Sequence, residues 1–287
     1  MNLGQTGIFW FTDTLSPKQL IELALQAEDL GYSALWYPEV FTYECFALGS
    51  FLLSHTTKLV IGSGIANIYA RDPTASKQGQ YSLARMSGGR FVLGLGVSHV
   101  PLVKDARGHD YRRPVATMRG YLDAMDQIHI QPALDERSPT ILAALGPKMI
   151  ELGQRTSGAF PYNTTPEHTE RARGILGPDK WLCVEQKVLF TKDTAKAREV
   201  ARQAMAFYLP LTNYRANWLR IGFTEDDLAN GGSDRFLDAM VAWGDENAIR
   251  ARIKAHIDAG ASHVCIQPLR VDGQPVPDYD AMKTLAG

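Results

Sequence analysis

The sequence predicts an α/β chain closed into a (β/α)8 barrel, read as one domain over residues 1–287. Short apolar runs alternate with amphipathic stretches along the whole chain, and eight of the runs have strand length. These runs are rich in Val, Ile, Leu and Phe and lack a clean in/out alternation, the pattern of parallel strands buried on both faces. A doubly wound open sheet shares the alternation. Eight strands within 287 residues favour the barrel.

In order, the strand runs are TGIFWF (6–11), SALWYP (33–38), KLVIGSG (58–64) and RFVLGLGV (90–97). They continue as TILAAL (140–145), GAFPY (158–162), WLCVEQKVLF (181–190) and SHVCIQPL (262–269). The first helix follows Ser16-Pro17-Lys18-Gln19, which has capping-box spacing with proline at the first helical position. Leu20, Leu23, Ala24, Ala27 and Leu30 then repeat at helical spacing, and Gly31 is placed for a left-handed C-terminal cap. Asp72-Pro73, Gly146-Pro147 and Thr165-Pro166 mark further helix starts shortly after strands, and Gly88-Gly89 ends a helix. Residues 44–55 are apolar around much of the helix circumference, which fits either a dimer face or tight barrel packing. Residues 203–245 are long for one barrel helix, rich in aromatics and broken by Gly-Gly, which predicts extra helices acting as a lid or an interface.

Composition narrows the partners. A net charge of −1 gives no general pull towards nucleic acid or an anionic membrane. No apolar run approaches the roughly 20 residues of a membrane span. The start MNLGQTGIFWF lacks the basic flank and cleavage site of a signal peptide, so a cytoplasmic protein is expected. Cys45, Cys183 and Cys265 are too scattered for a metal knuckle, and the last two read as core residues.

In a barrel, function gathers at the C-terminal strand ends. Those ends hold Trp10, Phe11 and Asp13; Pro38, Glu39 and Phe41; Gly64 to Arg71, including Tyr69; Ser98 and His99; Leu145 to Pro147; Tyr162, Asn163 and Thr164; and Gln267. No Ser–His–Asp grouping, carboxylate pair or metal-ligand spacing stands out among them. An aromatic mouth with few titratable groups suits a planar cofactor that carries the hard chemistry. Trp10, Tyr69, Tyr162 and Asn163 are the expected substrate pocket, fit for an apolar or planar molecule. ALGPKM (144–149) places Gly146 and Pro147 at a helix start facing the mouth, which is either a phosphate seat or an ordinary cap. Gly94-x-Gly96 lacks the third glycine of a dinucleotide fingerprint. His99 is the only histidine at a strand mouth and is open to acid/base work or loop packing. For His55, His109, His129, His168, His256 and His263 a solvated or capping role is expected. Glu39 either caps the next helix or points to the barrel axis.

The segments GYSALWYPEV, KLVIGSGIANIYARDPTASKQGQYSLARMSGGRFVLGLGVSH, TILAALGPKMIEL and GASHVCIQPL resemble the bacterial luciferase-like superfamily of flavin and deazaflavin oxidoreductases over essentially the whole chain. GAFPYNTTPEHTERAR and NYRANWLRIGF resemble its coenzyme F420-dependent subgroup. That resemblance implies a barrel with an extra segment, a tricyclic ring at the strand mouths, and a cis peptide at Gly64–Ile65 with Ile65 behind the ring. It implies cofactor contacts from Asn67, Ser98, Ala143 and Ala144, and a phosphate near Gly146 and Pro147. Arg71 either reaches an acidic cofactor tail or anchors its loop. The implied activity is hydride transfer between F420 and a small organic substrate, with His99 or Glu39 moving the proton. The alternatives are an FMN-dependent monooxygenase fed by a partner reductase, and a non-catalytic flavin-binding barrel. A flavin or F420 reductase as electron donor and a homodimer are the expected partners. The sequence departs from better-known relatives in reading Glu39-Val40 where they carry Asp-His, and His99 where they carry a glutamate.

Overall fold

The computed structural model describes residues 1, 3–134 and 138–286. Its elements run β1 (Thr6–Phe9), α1 (Pro17–Asp29), β2 (Ala34–Tyr37), α2 (Cys45–Ser54), β3 (Val60–Ser63), β4 (Ala66–Asn67), α3 (Pro73–Ser87) and β5 (Phe91–Gly96). They continue with α4 (Pro114–Asp126), β6 (Thr140–Ala143), α5 (Pro147–Gly153), β7 (Gly158–Phe160), α6 (Pro166–Leu176), β8 (Trp181–Phe190) and α7 (Thr194–Met205). The chain ends with α8 (Thr212–Arg220), α9 (Glu225–Leu228), α10 (Asp234–Met240), β9 (Val241–Gly244), α11 (Glu246–Asp258), β10 (His263–Pro268) and α12 (Tyr279–Leu285).

The strand order β1-β2-β3-β5-β6-β7-β8-β10 returns to β1, so the sheet is closed and every pairing in it is parallel. This is the (β/α)8 barrel that the sequence predicts, and each of its eight strands lies within one of the expected runs. The helix signals act as read. Ser16 and Gln19 form the capping box, Asp72 and Thr165 accept from the third helical N–H, and Gly31 and Gly88 take positive φ at helix ends.

The barrel interior packs large side chains against glycines on neighbouring strands. A Cβ on Gly62 would stand 2.3 Å from the Trp36 ring, and one on Gly7 would stand 2.5 Å from His263 Nε2. Trp36 Nε1 donates to that nitrogen at 3.0 Å, so a fully buried indole and imidazole satisfy each other. Ile8, Leu35, Ile61, Leu93, Ile141, Leu182 and Val264 are completely buried. Each contributes about 1.5–3 kcal/mol relative to an exposed side chain. On α2, Cys45, Leu48, Leu52 and Leu53 are buried and Phe46 packs against Phe91.

Two short strands lie outside the eight. β4 pairs with the end of β5 just beyond the cis peptide. β9, inside the segment expected to be helical, pairs with the upper half of β8. Because Lys187 and Val188 pair with β10 and β9 at once, β9 occupies the edge of β8 that β7 leaves free above Leu182.

The buried histidines also differ from expectation. His168, His256 and His263 are buried rather than solvated. Each has a fixed partner: His256 bridges Thr169 and Gln186 at 2.8 and 3.1 Å, His168 Nε2 meets the Leu145 carbonyl at 2.9 Å, and His263 Nδ1 meets the Gly4 carbonyl at 2.7 Å. No described helix is long and apolar enough to cross a membrane.

Candidate active site

A cavity of about 910 Å³ opens at the C-terminal ends of the strands. One face is made by the residues that follow β3 and β5, among them Gly64, Ile65, Val97 and Ser98. The Gly64–Ile65 peptide is cis, and the Ile65 side chain packs on Gly94 and Gly96 of β5. A Cβ on Gly96 would come within 2.4 Å of Ile65, and one on Gly94 within 1.9 Å of the Ser63 carbonyl oxygen. Gly94-x-Gly96 is therefore a packing device that lets the β3 loop settle onto the next strand. The Ser63 hydroxyl fixes the approach by donating to the Gly94 carbonyl and accepting from its N–H, both at 2.9 Å. Gly64, Ile65, Ser98, Ala143, Ala144, Gly146 and Pro147 all line this cavity, as do Glu39, His99, Trp10 and Tyr162.

Four expected site residues lie behind the wall. Asn67 turns its side-chain oxygen to the Tyr69 N–H at 3.0 Å, a local turn that uses the group meant for a ligand. Tyr69 packs its ring 6.0 Å from both His109 and Tyr111. Arg71 pairs with Glu39 and Glu44 and covers the Phe46 ring at 5.0 Å, so it anchors the loop. Asn163, in the left-handed region, is buried with its side-chain oxygen on Lys187.

Glu39 touches the cavity, yet its carboxylate is engaged. It holds both terminal nitrogens of Arg71 and accepts from the Asn67 N–H at 2.8 Å and the Cys45 N–H at 3.4 Å. A carboxylate with a buried guanidinium on both oxygens ties β4 to the start of α2 and has no free lone pair suited to carrying a proton. Of the two expected proton handlers, His99 is the one left available. Its Nδ1 is 3.1 Å from Asn213 Oδ1 on α8, which places the hydrogen on Nδ1 and leaves the Nε2 lone pair free. Burial lowers its pKa below the ordinary 6.5, and the Asn213 bond offsets part of that. His99 is a neutral base at pH 7.

A further wall is aromatic. Phe9 and Tyr162 stand 4.9 Å apart, Tyr162 and Tyr208 5.5 Å, and Tyr208 and Tyr214 5.2 Å. Tyr208 and Tyr214 come from the 203–245 segment, so that segment closes one side of the cavity. Beneath this wall lies a polar group that the sequence reading passed over. Glu185 and Lys187, two apart on β8, project to the same face, and both are essentially buried. They form an ion pair at 3.2 Å, and the Lys187 ammonium sits 4.2 Å from the centre of the Tyr162 ring. Burial lowers the lysine pKa and raises that of the glutamate, while their attraction opposes both shifts. The signal was the run Glu185-Gln186-Lys187, three polar residues in mid-strand.

The cavity fits a large planar ligand with an acidic tail. Trp10 Nε1 is a buried donor without a partner. The space above Gly146 is open, with Arg220 the nearest group to a Cβ built there, at 3.9 Å. Arg220, Lys148 and Arg270 provide cations around the rim. Among the described residues, no three His, Cys, Asp or Glu side chains converge as a metal-binding set.

A closed parallel barrel, with an apolar cavity at its strand ends and an insertion over it, defines the class of luciferase-like barrels. The model of the luciferase-like monooxygenase family matches residues 5–263, and the chain belongs to that family. It is 24% identical to a Mycobacterium tuberculosis protein named, provisionally, as a coenzyme F420-dependent oxidoreductase, covering 93% of this chain and 94% of that one. An F420-dependent secondary alcohol dehydrogenase, solved with an F420–acetone adduct, superposes with a TM-score of 0.79 at 16% identity, over 99% of this chain and 97% of that one. The oxygenating constituent of 3,6-diketocamphane monooxygenase from Pseudomonas putida, solved with FMN, gives 0.71 at 13% identity, over 100% and 97%. These two structures share the fold.

Proposed function

We propose that the chain is a hydride-transfer oxidoreductase that binds the deazaflavin coenzyme F420 across the strand-end cavity and acts on a small apolar organic molecule. The observation that carries this reading is the cavity itself: an apolar face that includes Ile65 and Ala143, an aromatic wall, and a histidine, His99, with one ring nitrogen free. When bound, the deazaflavin would supply two-electron chemistry that no side chain offers. Gly64, Ile65, Ala143 and Ala144 would hold its ring. Ser98, Gly146, Arg220 and Lys148 would hold its phosphate and acidic tail. His99, neutral and fixed in tautomer by Asn213, would take the proton of a substrate hydroxyl through Nε2. Tyr208 and Tyr214 would exclude water from the substrate side. The relative named for F420 supports the choice of cofactor. The FMN-bound structural neighbour supports a second reading, an FMN-dependent monooxygenase supplied by a reductase.

Separate titrations of the purified protein with F420 and with FMN, following ring fluorescence, test this. Micromolar binding of F420 is expected. FMN binding without F420 binding would favour the monooxygenase, and binding of neither would point to a non-catalytic barrel.

A further inference from the structure

The polar group beneath the aromatic wall has a direction. A lysine ammonium donates three hydrogen bonds and accepts none. All three acceptors of Lys187 are in place: the Tyr162 hydroxyl at 3.1 Å, the Asn163 side-chain oxygen, and Glu185 at 3.2 Å. Lys187 is therefore saturated and does not itself bind a ligand. Its effect passes to Tyr162, whose oxygen is occupied by the ammonium and whose hydrogen is directed to Gln267 Oε1 at 2.8 Å. The Tyr208 hydroxyl, at 3.1 Å, completes the set around that oxygen. With its own oxygen used in this way, Gln267 keeps its amide N–H groups free. Among the described residues Gln267 Nε2 has no partner and is not enclosed by protein, and Gln267 lines the cavity at the end of β10.

We propose that Gln267 Nε2 is the donor that holds the oxygen of a carbonyl substrate, or of its alcohol, and that Lys187 and Tyr162 are positioning residues that set the amide's orientation. The inference rests on the oxidoreductase reading, and it names the substrate class: a small ketone, aldehyde or enone with an otherwise apolar body. The apolar walls leave few other polar contacts, so a hydrocarbon of the same shape would leave the amide unpaired, and a site built this way rejects it. The amide donates to a lone pair and takes no part in proton transfer, which stays with His99.

The test uses the cofactor-free protein with cyclohex-2-enone, labelled with ¹³C at the carbonyl, and its hydrocarbon analogue 3-methylenecyclohexene. Infrared difference spectra of the bound enone should show its carbonyl band at lower frequency in the wild type than in Gln267→Met. Tyr162→Phe, which frees the amide to turn, should broaden that band. By tryptophan fluorescence, Gln267→Met should weaken the enone about tenfold and should tighten the hydrocarbon, because no amide is then left unpaired. Gln267→Glu, which keeps the acceptor for Tyr162 but removes the donor, should give the same loss and serves if the Met variant does not fold. An unchanged carbonyl band in both variants, or no enone binding by the wild type, overturns the proposal. F420 binding without a carbonyl shift would sink this inference alone, whereas a carbonyl shift without F420 binding would sink the cofactor reading alone.

Discussion

His99 owes its protonation state to two opposing neighbours. Burial lowers its pKa, and the Asn213 hydrogen bond raises it. For substrate oxidation, kcat/KM should rise with pH through an apparent pKa below 6.5 and then level off, because the neutral ring is the active form. Asn213→Ala removes the raising contribution and should move that limb to lower pH. His99→Gln should abolish it, and a limb that survives in His99→Gln rules out this base. The sequence placed His99 at a strand mouth, but it also offered Glu39 for the same task. The choice between them depends on Arg71, which is 32 positions from Glu39 and holds its carboxylate. No local pattern encodes such a long-range pair.

At the scale of elements, β3 and β5 meet through Gly94, which has Ser63 on both sides of its peptide. Gly94→Ala would drive a methyl to 1.9 Å from a backbone oxygen, a contact no side-chain rotation relieves. A loss of about 3 kcal/mol is expected, at the upper end of overpacking costs. Urea unfolding measures it, and a change below about 1 kcal/mol would contradict the packing described. Elements with strong signals were legible: the strand runs, the capping box of α1 and the proline starts of α3, α5 and α6. β9 was not, because four residues inside an amphipathic stretch carry too little periodicity to separate a strand from the end of a helix. Only the free upper edge of β8 makes Val241–Gly244 a strand. Asn67, Tyr69, Arg71 and Asn163 sit at the expected strand ends, but their side chains turn away from the cavity. Position along a strand was readable, and side-chain direction in the loops was not.

For the whole molecule, the buried histidines set the response to acid. Burial lowers the pKa of His263 to about 4 and that of His256 to about 3, against 6.5 when exposed. The unfolded chain takes up these protons below pH 6.5 while the native state refuses them. Stability should therefore fall as pH drops from 6.5 towards 4, by about 1.4 kcal/mol per pH unit for each histidine once the unfolded state is protonated. Denaturant midpoints between pH 8 and 5 would show the slope, and His256→Gln should flatten it by one histidine's share. A midpoint constant down to pH 5 would mean that the two rings are not held neutral.

The sequence alone determined the barrel, because alternation of buried runs and capped helices is a local property repeated eight times along the chain. It also placed aromatic and apolar residues at the strand mouths, since strand ends and aromatics can both be read in one dimension. The tertiary structure alone decided which mouth residues are free. Glu39 is tied down by Arg71, His99 keeps one nitrogen open while Asn213 holds the other, and Lys187 is buried with its donors on Tyr162, Asn163 and Glu185. Those assignments depend on contacts between elements far apart in the chain, and a hydrogen bond has a direction only once both partners are in place.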